Sequence, residues 1–280
     1  VRLDAKLVEQ YPDKSRSQLQ RYISLGLVKV DGEVTQTTKQ NVNETSKIEL
    51  SLPADVDYTN ETLAVIYKDE NVVVIDKPAG ILTHAKGKEN EEFSVSKFLE
   101  QFYTGPDTDN NRVGIVHRLD RATSGVIIGI RNPDSLKYIQ KQFAKRTTKK
   151  IYTAVVEGHL DQKEAVIDLP IDRNPAKPSS FRVHSNGKSA QTSYKVLRES
   201  AKYSLVELRP RTGRTHQLRV HLKYLKHPIV GDIVYGRESE RMYLHAQSLE
   251  LTLPGGKRMV FKSKVPDSFS TLLDKDDDNE

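Results

Sequence analysis

The chain has 280 residues, 36% hydrophobic and 29% charged, a balance that suits a folded protein with a sizeable core. It holds no cysteine, which excludes disulfides, zinc–thiolate sites and thiolate catalysis. Its longest apolar runs, such as NVVVI and GVIIGI, fall far short of the roughly 20 residues that a membrane-spanning helix needs, so no membrane partner is expected.

Net charge is +6, and the last seven residues, DKDDDNE, pull it down; they read as a solvated acidic tail over 274–280. Without them 43 basic residues face 33 acidic ones. A basic body favours a polyanionic partner, nucleic acid above all, although an excess of this size also occurs in ordinary proteins. The opening VRLDAKL has no charged-then-apolar leader, which makes the cytoplasm the expected location.

Residues 1–52 form a small α/β unit. Leu3, Leu7 and Val8 start an apolar-periodic segment, and Ser15 or Ser17 can cap a helix that puts Leu19, Tyr22 and Ile23 on one face. Arg16, Gln20 and Arg21 are then free to point elsewhere. Gly26 ends the helix, and LVKVDGEV alternates around a turn at Asp31-Gly32, the signal of a hairpin. The polar, proline-bearing stretch 53–62 reads as a linker.

From 63 to 273 the pattern is dominated by strands: LAVIYKD, NVVVIDKP, SGVIIGIRN, IYTAVVEG, EAVIDLPI, SAQTSYKVLRE, YSLVELRP and YLHAQSLELTL. Helical spacing occurs over 133–146 (Leu136, Ile139, Phe143) and 215–226 (Leu218, Leu222, Leu225), and less clearly over FSVSKFLEQFY. Many strands and few helices without regular alternation predict an α+β fold around a mostly antiparallel mixed sheet.

Three segments carry residues suited to chemistry. In HRLDRATSG, residues 117–125, Asp120 stands between two arginines just before an apolar strand; it is either a catalytic acid on a rigid frame or a carboxylate that caps a turn at Thr123 or Ser124. RPRTGRTHQLRVH sets Arg209, Arg211, Arg214 and Arg219 within eleven residues, with Thr215 as a helix cap, and reads as an anion grip or a basic surface loop. KKIYTAVVEG brings Tyr152 to the start of a strand behind a basic stretch, where it can stack a base or pack in the core. His216 and His221 are five apart rather than four, HExxH is missing, and so are GxxxxGK and GxSxG; metal hydrolysis, ATP hydrolysis and esterase chemistry lose support together.

DKPAG (76–80), HRLDRATSG (117–125), KKIYTAVVEG (149–158), RTGRTHQLRVH (211–221), GDIVYG (231–236) and LHAQSLEL (244–251) occur in an order that resembles the RluA-type family of RNA pseudouridine synthases over residues 63–268. SRSQLQRYISLGLVKVDG resembles the S-four RNA-binding domain. One departure is His84-Ala85 where members commonly show His-Pro.

The resemblance implies that Asp120 is the catalytic aspartate, Tyr152 the active-site tyrosine and Arg219 the basic residue that pairs with the acid. It implies uridine isomerisation on a flipped-out nucleotide, with no metal or other cofactor. The expected partner is RNA, large-subunit ribosomal RNA before tRNA. Candidate RNA contacts are Arg16, Arg21 and Lys29 in the first unit and Arg118, Arg211, Arg214 and His216 in the second; His117 and Arg118 can fill the gap left by the extruded base. An RNA-binding assembly factor without catalysis is the alternative of another class.

Overall fold

A computed structural model describes residues 1–12, 14–51, 61–85, 92–106 and 112–278. Most of the expected linker, the middle of the segment 83–92 and the last two tail residues lie outside them. The described residues fall into two compact units, one ending before residue 61 and the other beginning there.

In the first unit, helices α1 (Leu3–Gln10) and α2 (Arg16–Ser24) pack on a three-stranded antiparallel sheet of β1 (Val28–Val30), β2 (Glu33–Thr35) and β3 (Ile48–Leu50), in the order β2-β1-β3. Ser15 caps α2: its side chain accepts from the Gln18 amide while the Gln18 side chain accepts from the Ser15 amide, a reciprocal box that satisfies two otherwise orphaned donors. Leu19, Tyr22 and Ile23 are buried with Leu3, Leu7 and Val28. The hairpin turns through Asp31 and Gly32, both at positive φ (53° and 89°), the pair of left-handed residues that a two-residue turn requires.

One expectation for this unit is corrected. Arg16 and Gln20 do not point away: both bond the fully buried Asp4 carboxylate, at 3.0 Å and 2.6 Å, and Arg2 joins them at 2.8 Å. A buried carboxylate without partners would be costly, so three donors converge on it. Burial alone would raise the Asp4 carboxyl, but the bonds from Arg2, Gln20 and Arg16 outweigh it and hold the group at about 2.

The second unit is built on one nine-stranded sheet. In chain order its elements begin with β4 (Ala64–Lys68), β5 (Val72–Lys77), α3 (Val95–Glu100), β6 (Ser124–Ile130), α4 (Pro133–Ala144) and β7 (Lys149–Glu157). They continue with β8 (Glu164–Asp168), β9 (Ile171–Arg173), β10 (Phe181–Val183), β11 (Gln191–Glu199) and β12 (Tyr203–Pro210). The last are α5 (Gln217–Tyr224), β13 (Leu244–Thr252), β14 (Arg258–Lys262) and α6 (Ser268–Asp277). The strand order is β4-β5-β6-β13-β7-β12-β11-β8, with β14 on β13 and β9–β10 as a separate pair. Among the described strands of this sheet only β6 and β13 run parallel; the other pairs are antiparallel, as the strand-rich pattern predicts. β10 and β14 are strands the sequence expectation lacks: FRV and RMVFK are short and alternate with basic, exposed positions, which mutes their apolar signal.

The parallel contact is brief, Ser124 opposite His245 and Gly125 opposite Ala246. Gly125 has φ 111°, and a Cβ there would lie 2.2 Å from the Ala246 carbonyl oxygen. Glycine is therefore required for β13 to come alongside β6, next to the segment that carries Asp120. Ala154, Val206, Leu208, Leu218, Leu222 and Leu244 form the core that fixes β7, β12, β13 and α5 together.

Two further expectations change. Thr215 does not cap α5; the N-cap is His216, in the left-handed region (φ 56°), and the Gln217 side chain instead accepts from the Arg214 amide at 3.0 Å. The acidic end is not a solvated tail through residue 277. Asp274, Asp276 and Asp277 belong to α6, where Arg198 bonds Asp274 and Asp277 and the buried Asp276 accepts from Ser200 (2.8 Å) and the Lys202 amide (2.6 Å). Phe269 and Leu273 dock the helix, which gives its acids fixed basic and backbone partners.

Candidate active site

The segment that carries Asp120 is held through its backbone. Thr123 donates its amide to the Asp120 carbonyl (3.0 Å), so the carboxylate is not spent on capping the turn. The Thr83 hydroxyl donates to the Leu119 carbonyl (2.7 Å) and accepts the Leu119 amide (3.1 Å). Lys77, fully buried at the end of β5, donates to the carbonyls of Pro78 (2.9 Å), Ile81 (2.7 Å) and Arg121 (3.1 Å). Burial pushes the Lys77 amine down to about 7, with Asp120 opposing the shift. The Arg121 side chain leaves the site and pairs with Glu92. A main chain tied down on both sides of residue 120 presents its acid with little freedom to reorient.

Arg219, on the first turn of α5, meets that acid. Its Nη1 donates to Asp120 Oδ2 at 2.9 Å, while Nε and Nη2 donate to the two oxygens of Asp232 at 2.7 Å and 2.8 Å. Asp232 is fully buried and also accepts the amides of Val234 and Tyr235. The guanidinium lies over the Tyr235 ring, 5.1 Å from its centre. Burial would lower the Arg219 group, but the hydrogen bonds and charges of Asp232 and Asp120 outweigh it and hold it above its ordinary value. One cation thus serves two carboxylates, and the cluster keeps a net negative charge for Asp120 to direct.

Tyr152 on β7 and His216 complete the walls of a cavity of about 410 Å³ that Asp120 and Arg219 also line. Burial, and then the Asp120 charge, push the Tyr152 phenol well above its ordinary value, which removes it as a ready base. His216 Nδ1 lies 2.9 Å from the Tyr235 hydroxyl, which itself accepts the Phe181 amide at 2.8 Å. Burial lowers the imidazole below its ordinary value, which favours its neutral form, and its Nε2 lies 3.8 Å from Asp120 Oδ2. Burial likewise pushes the Tyr235 phenol up to about 12.

Arg118, Arg211 and Arg214 line the same cavity. Arg118 is exposed; Arg211 contacts Gln191 and Arg214 the Ser189 carbonyl, so neither is taken by a carboxylate among the described residues. His117 is corrected: its Nε2 accepts the Ile128 amide (3.1 Å) and its ring stacks on Phe143 at 4.8 Å. Burial, with the Lys150 charge, takes it down to about 3, so it is a neutral wall rather than a side chain free to move into a gap. Arg16, Arg21 and Lys29 lie in the first unit, where Arg21 and Lys29 are exposed and Arg16 serves Asp4.

Asp232, Tyr235, Lys77 and Lys150 are not singled out by the sequence as individual residues. The signals were present in GDIVYG, DKPAG and KKIYTA, but nothing local distinguishes an acid that clamps an arginine thirteen positions away from any other acid. Among the described residues no three His, Cys, Asp or Glu side chains gather as a metal-binding group, and no helix is long and apolar enough to cross a membrane.

The family pattern described as RNA pseudouridylate synthase matches residues 71–224, and that of the S4 domain matches residues 1–48. The ribosomal large subunit pseudouridine synthase D of Borreliella burgdorferi is 38% identical over 82% of this chain and 72% of its own length. The protein of that name from Escherichia coli K12 is 32% identical over 98% of this chain and 90% of its own. An uncharacterized RNA pseudouridine synthase of Aquifex aeolicus is 34% identical over 97% and 92%. Among solved structures, Human RNA Pseudouridylate Synthase Domain Containing 1 superposes with a TM-score of 0.63 at 28% identity, covering 77% of this chain and 87% of that one. With more than half of its length matching the pattern, and that match spanning Asp120, Tyr152 and Arg219, this chain belongs to the RNA pseudouridine synthase family.

Proposed function

We propose that this chain isomerises specific uridines of large-subunit ribosomal RNA to pseudouridine, with Asp120 acting at the sugar of a nucleotide flipped into the cavity. The observation that carries the reading is convergence: Asp120, Tyr152 and Arg219, far apart in the chain, line one cavity of about 410 Å³, wide enough for a single nucleoside. Breaking the bond from C1′ to N1 builds positive charge at C1′, which a fixed carboxylate stabilises or traps, as in retaining glycosidases. The detached base turns and rejoins through C5. No atom is gained or lost and no electron pair leaves the substrate, so the proposal calls for no metal or nucleotide cofactor.

Arg219 orients Asp120, and Asp232 takes up most of that arginine's charge. Tyr152 stacks on the flipped base rather than taking its C5 proton. Arg118, Arg211 and Arg214 hold backbone phosphates at the cavity rim. Residues 1–52 form an RNA-binding module that raises the local concentration of substrate for the catalytic part, residues 63–273, with Arg21 and Lys29 as its phosphate contacts. The names of the relatives favour large-subunit ribosomal RNA over tRNA, and the cytoplasm as the place of action.

The test is to incubate the full chain with uridine-labelled large-subunit rRNA transcripts and tRNA, then chromatograph the nucleosides. Pseudouridine from the rRNA alone is the expected result. Conversion in neither RNA would overturn the catalytic reading, and conversion in tRNA alone would overturn the substrate.

A further inference from the structure

Lys150 stands on β7 two residues before Tyr152, on the same face of the strand, and lines the same cavity. Its Nζ donates to the Thr212 carbonyl at 3.3 Å, and no ion pair engages it among the described residues. Lys149 beside it does pair with a carboxylate, Glu250, and Lys77 is saturated by three carbonyls. Lys150 is thus a half-buried cation with donors to spare, in a cavity whose other conspicuous charge pair, Asp120 with Arg219, sits on the sugar side of the proposed reaction.

That reaction has two charges to manage. When the bond from C1′ to N1 breaks, its electron pair stays with the base, giving a uracil anion whose charge is shared by O2 and O4. C1′ is left electron-poor and bonds to, or faces, the Asp120 carboxylate. When C5 bonds to C1′ the pair returns; the C5 proton then passes to solvent water and N1 takes one up from water, so the base ends with the same atoms and charge. Resting on the functional reading above, we propose that Lys150 is a further catalytic residue: its ammonium stabilises the detached uracil anion while Asp120 serves the sugar. A fixed cation in a desolvated cavity is worth most where charge develops, and the delocalised anion accepts its help in either orientation of the turning base.

The ammonium is the working form, which makes the role readable in pH. Burial pushes the Lys150 amine down to about 8. Sharing the cavity from the segment before β6 are His117, Arg118 and Asp120, and from the turn after α4 comes Arg146. From the segment after β12 come Arg211, Arg214 and His216, and from α5 Arg219, with Tyr152 on β7 itself. Both histidines are shifted down and Tyr152 up, so within this set Lys150 is the group that changes charge near pH 8. Loss of the Lys150 proton is expected to lower kcat/KM about tenfold per pH unit above about 8, beyond whatever change Lys77 makes near 7 in every variant alike.

The experiment compares the full chain with Lys150→Met and Lys150→Arg by single-turnover pseudouridine formation across pH 6 to 10, with RNA affinity measured beside it. Lys150→Met is expected to lose roughly 10²-fold in kcat, with KM and RNA affinity within about threefold. Lys150→Arg is expected to recover most of that rate and to move the alkaline limb upward by more than one pH unit. Lys77 titrates alike in all three proteins, so the difference between profiles is the readout. Turnover by Lys150→Met at the unaltered rate would overturn the proposal, as would a loss confined to KM and affinity, which marks a phosphate contact. If Lys150→Met does not fold, an alkaline limb that stays in place in Lys150→Arg overturns it. No pseudouridine from the unaltered chain would overturn the functional reading, and this proposal with it.

Discussion

Arg219 donates twice to Asp232 and once to Asp120, so the acid proposed to act at the sugar is oriented by a cation whose charge a second, fully buried acid already offsets. A lone arginine facing Asp120 would neutralise it; this arrangement fixes its direction and leaves the three-residue cluster of Arg219, Asp120 and Asp232 with one net negative charge. Replacing Asp232 by Asn leaves the buried guanidinium with one charged partner, Asp120. Asp232→Asn is expected to lower kcat by one to two orders of magnitude with little change in RNA affinity, and to cost about 3–5 kcal/mol of stability. Thermal or urea melting with single-turnover kinetics checks both.

Asp120→Asn removes the reacting group but not the fold, because Arg219 keeps Asp232 and the backbone ties at Leu119 and Arg121 stay in place. Pseudouridine formation is expected to fall to background while RNA affinity and melting temperature stay close to those of the unaltered chain. Measurable turnover in Asp120→Asn and Asp120→Ala alike would remove the aspartate from the mechanism.

Tyr152 has its phenol pushed up by burial and by Asp120, so it remains protonated at every pH at which the enzyme is assayed. Tyr152→Phe keeps the ring and is expected to retain turnover within about tenfold, whereas Tyr152→Leu loses the stacking face and falls much further. An inactive Phe variant with intact RNA binding would restore a proton-transfer role to the hydroxyl.

The cluster around Asp4 separates stability from RNA contact in the first unit. The folded carboxyl sits at about 2 against an ordinary 3.8. Its contribution is therefore complete above pH 3.8 and is lost as pH falls from there through about 2. Arg16→Ala is expected to lower the melting temperature of this unit at neutral pH. Arg21→Ala with Lys29→Ala is expected to leave it unchanged and to reduce the salt dependence of RNA binding by roughly one to two counterions. A reversed pattern, with Arg16→Ala affecting binding alone, would contradict the assignment.

Helix α2, the hairpin at Asp31-Gly32 and the long strands are legible because each is specified locally, by Ser15 with Gln18, by two left-handed positions, or by an unbroken apolar alternation. Strands β10 and β14 are not, since their pairing partners supply the regularity that their own few residues lack. The same division holds in the site. Asp120, Tyr152 and Arg219 stand in recognisable motifs, yet the sequence leaves open whether the Asp120 side chain caps its own turn or faces a cavity; the Thr123 amide decides it by bonding the backbone carbonyl instead.

Sequence alone determined the two-part organisation, the strand-rich character of the second part, and the chemical types available to the site: one acid flanked by arginines, with a strand tyrosine behind a basic run. Tertiary structure decided which charges remain available. Arg16 was drawn to Asp4, His117 to the Ile128 amide, the terminal acids to Arg198 and Lys202, and Arg219 to Asp232 as well as Asp120. The reason is that the order of residues fixes how many charged groups a chain carries, whereas burial and the meeting of distant segments fix which of them are already satisfied, and only the unsatisfied ones can act on a substrate.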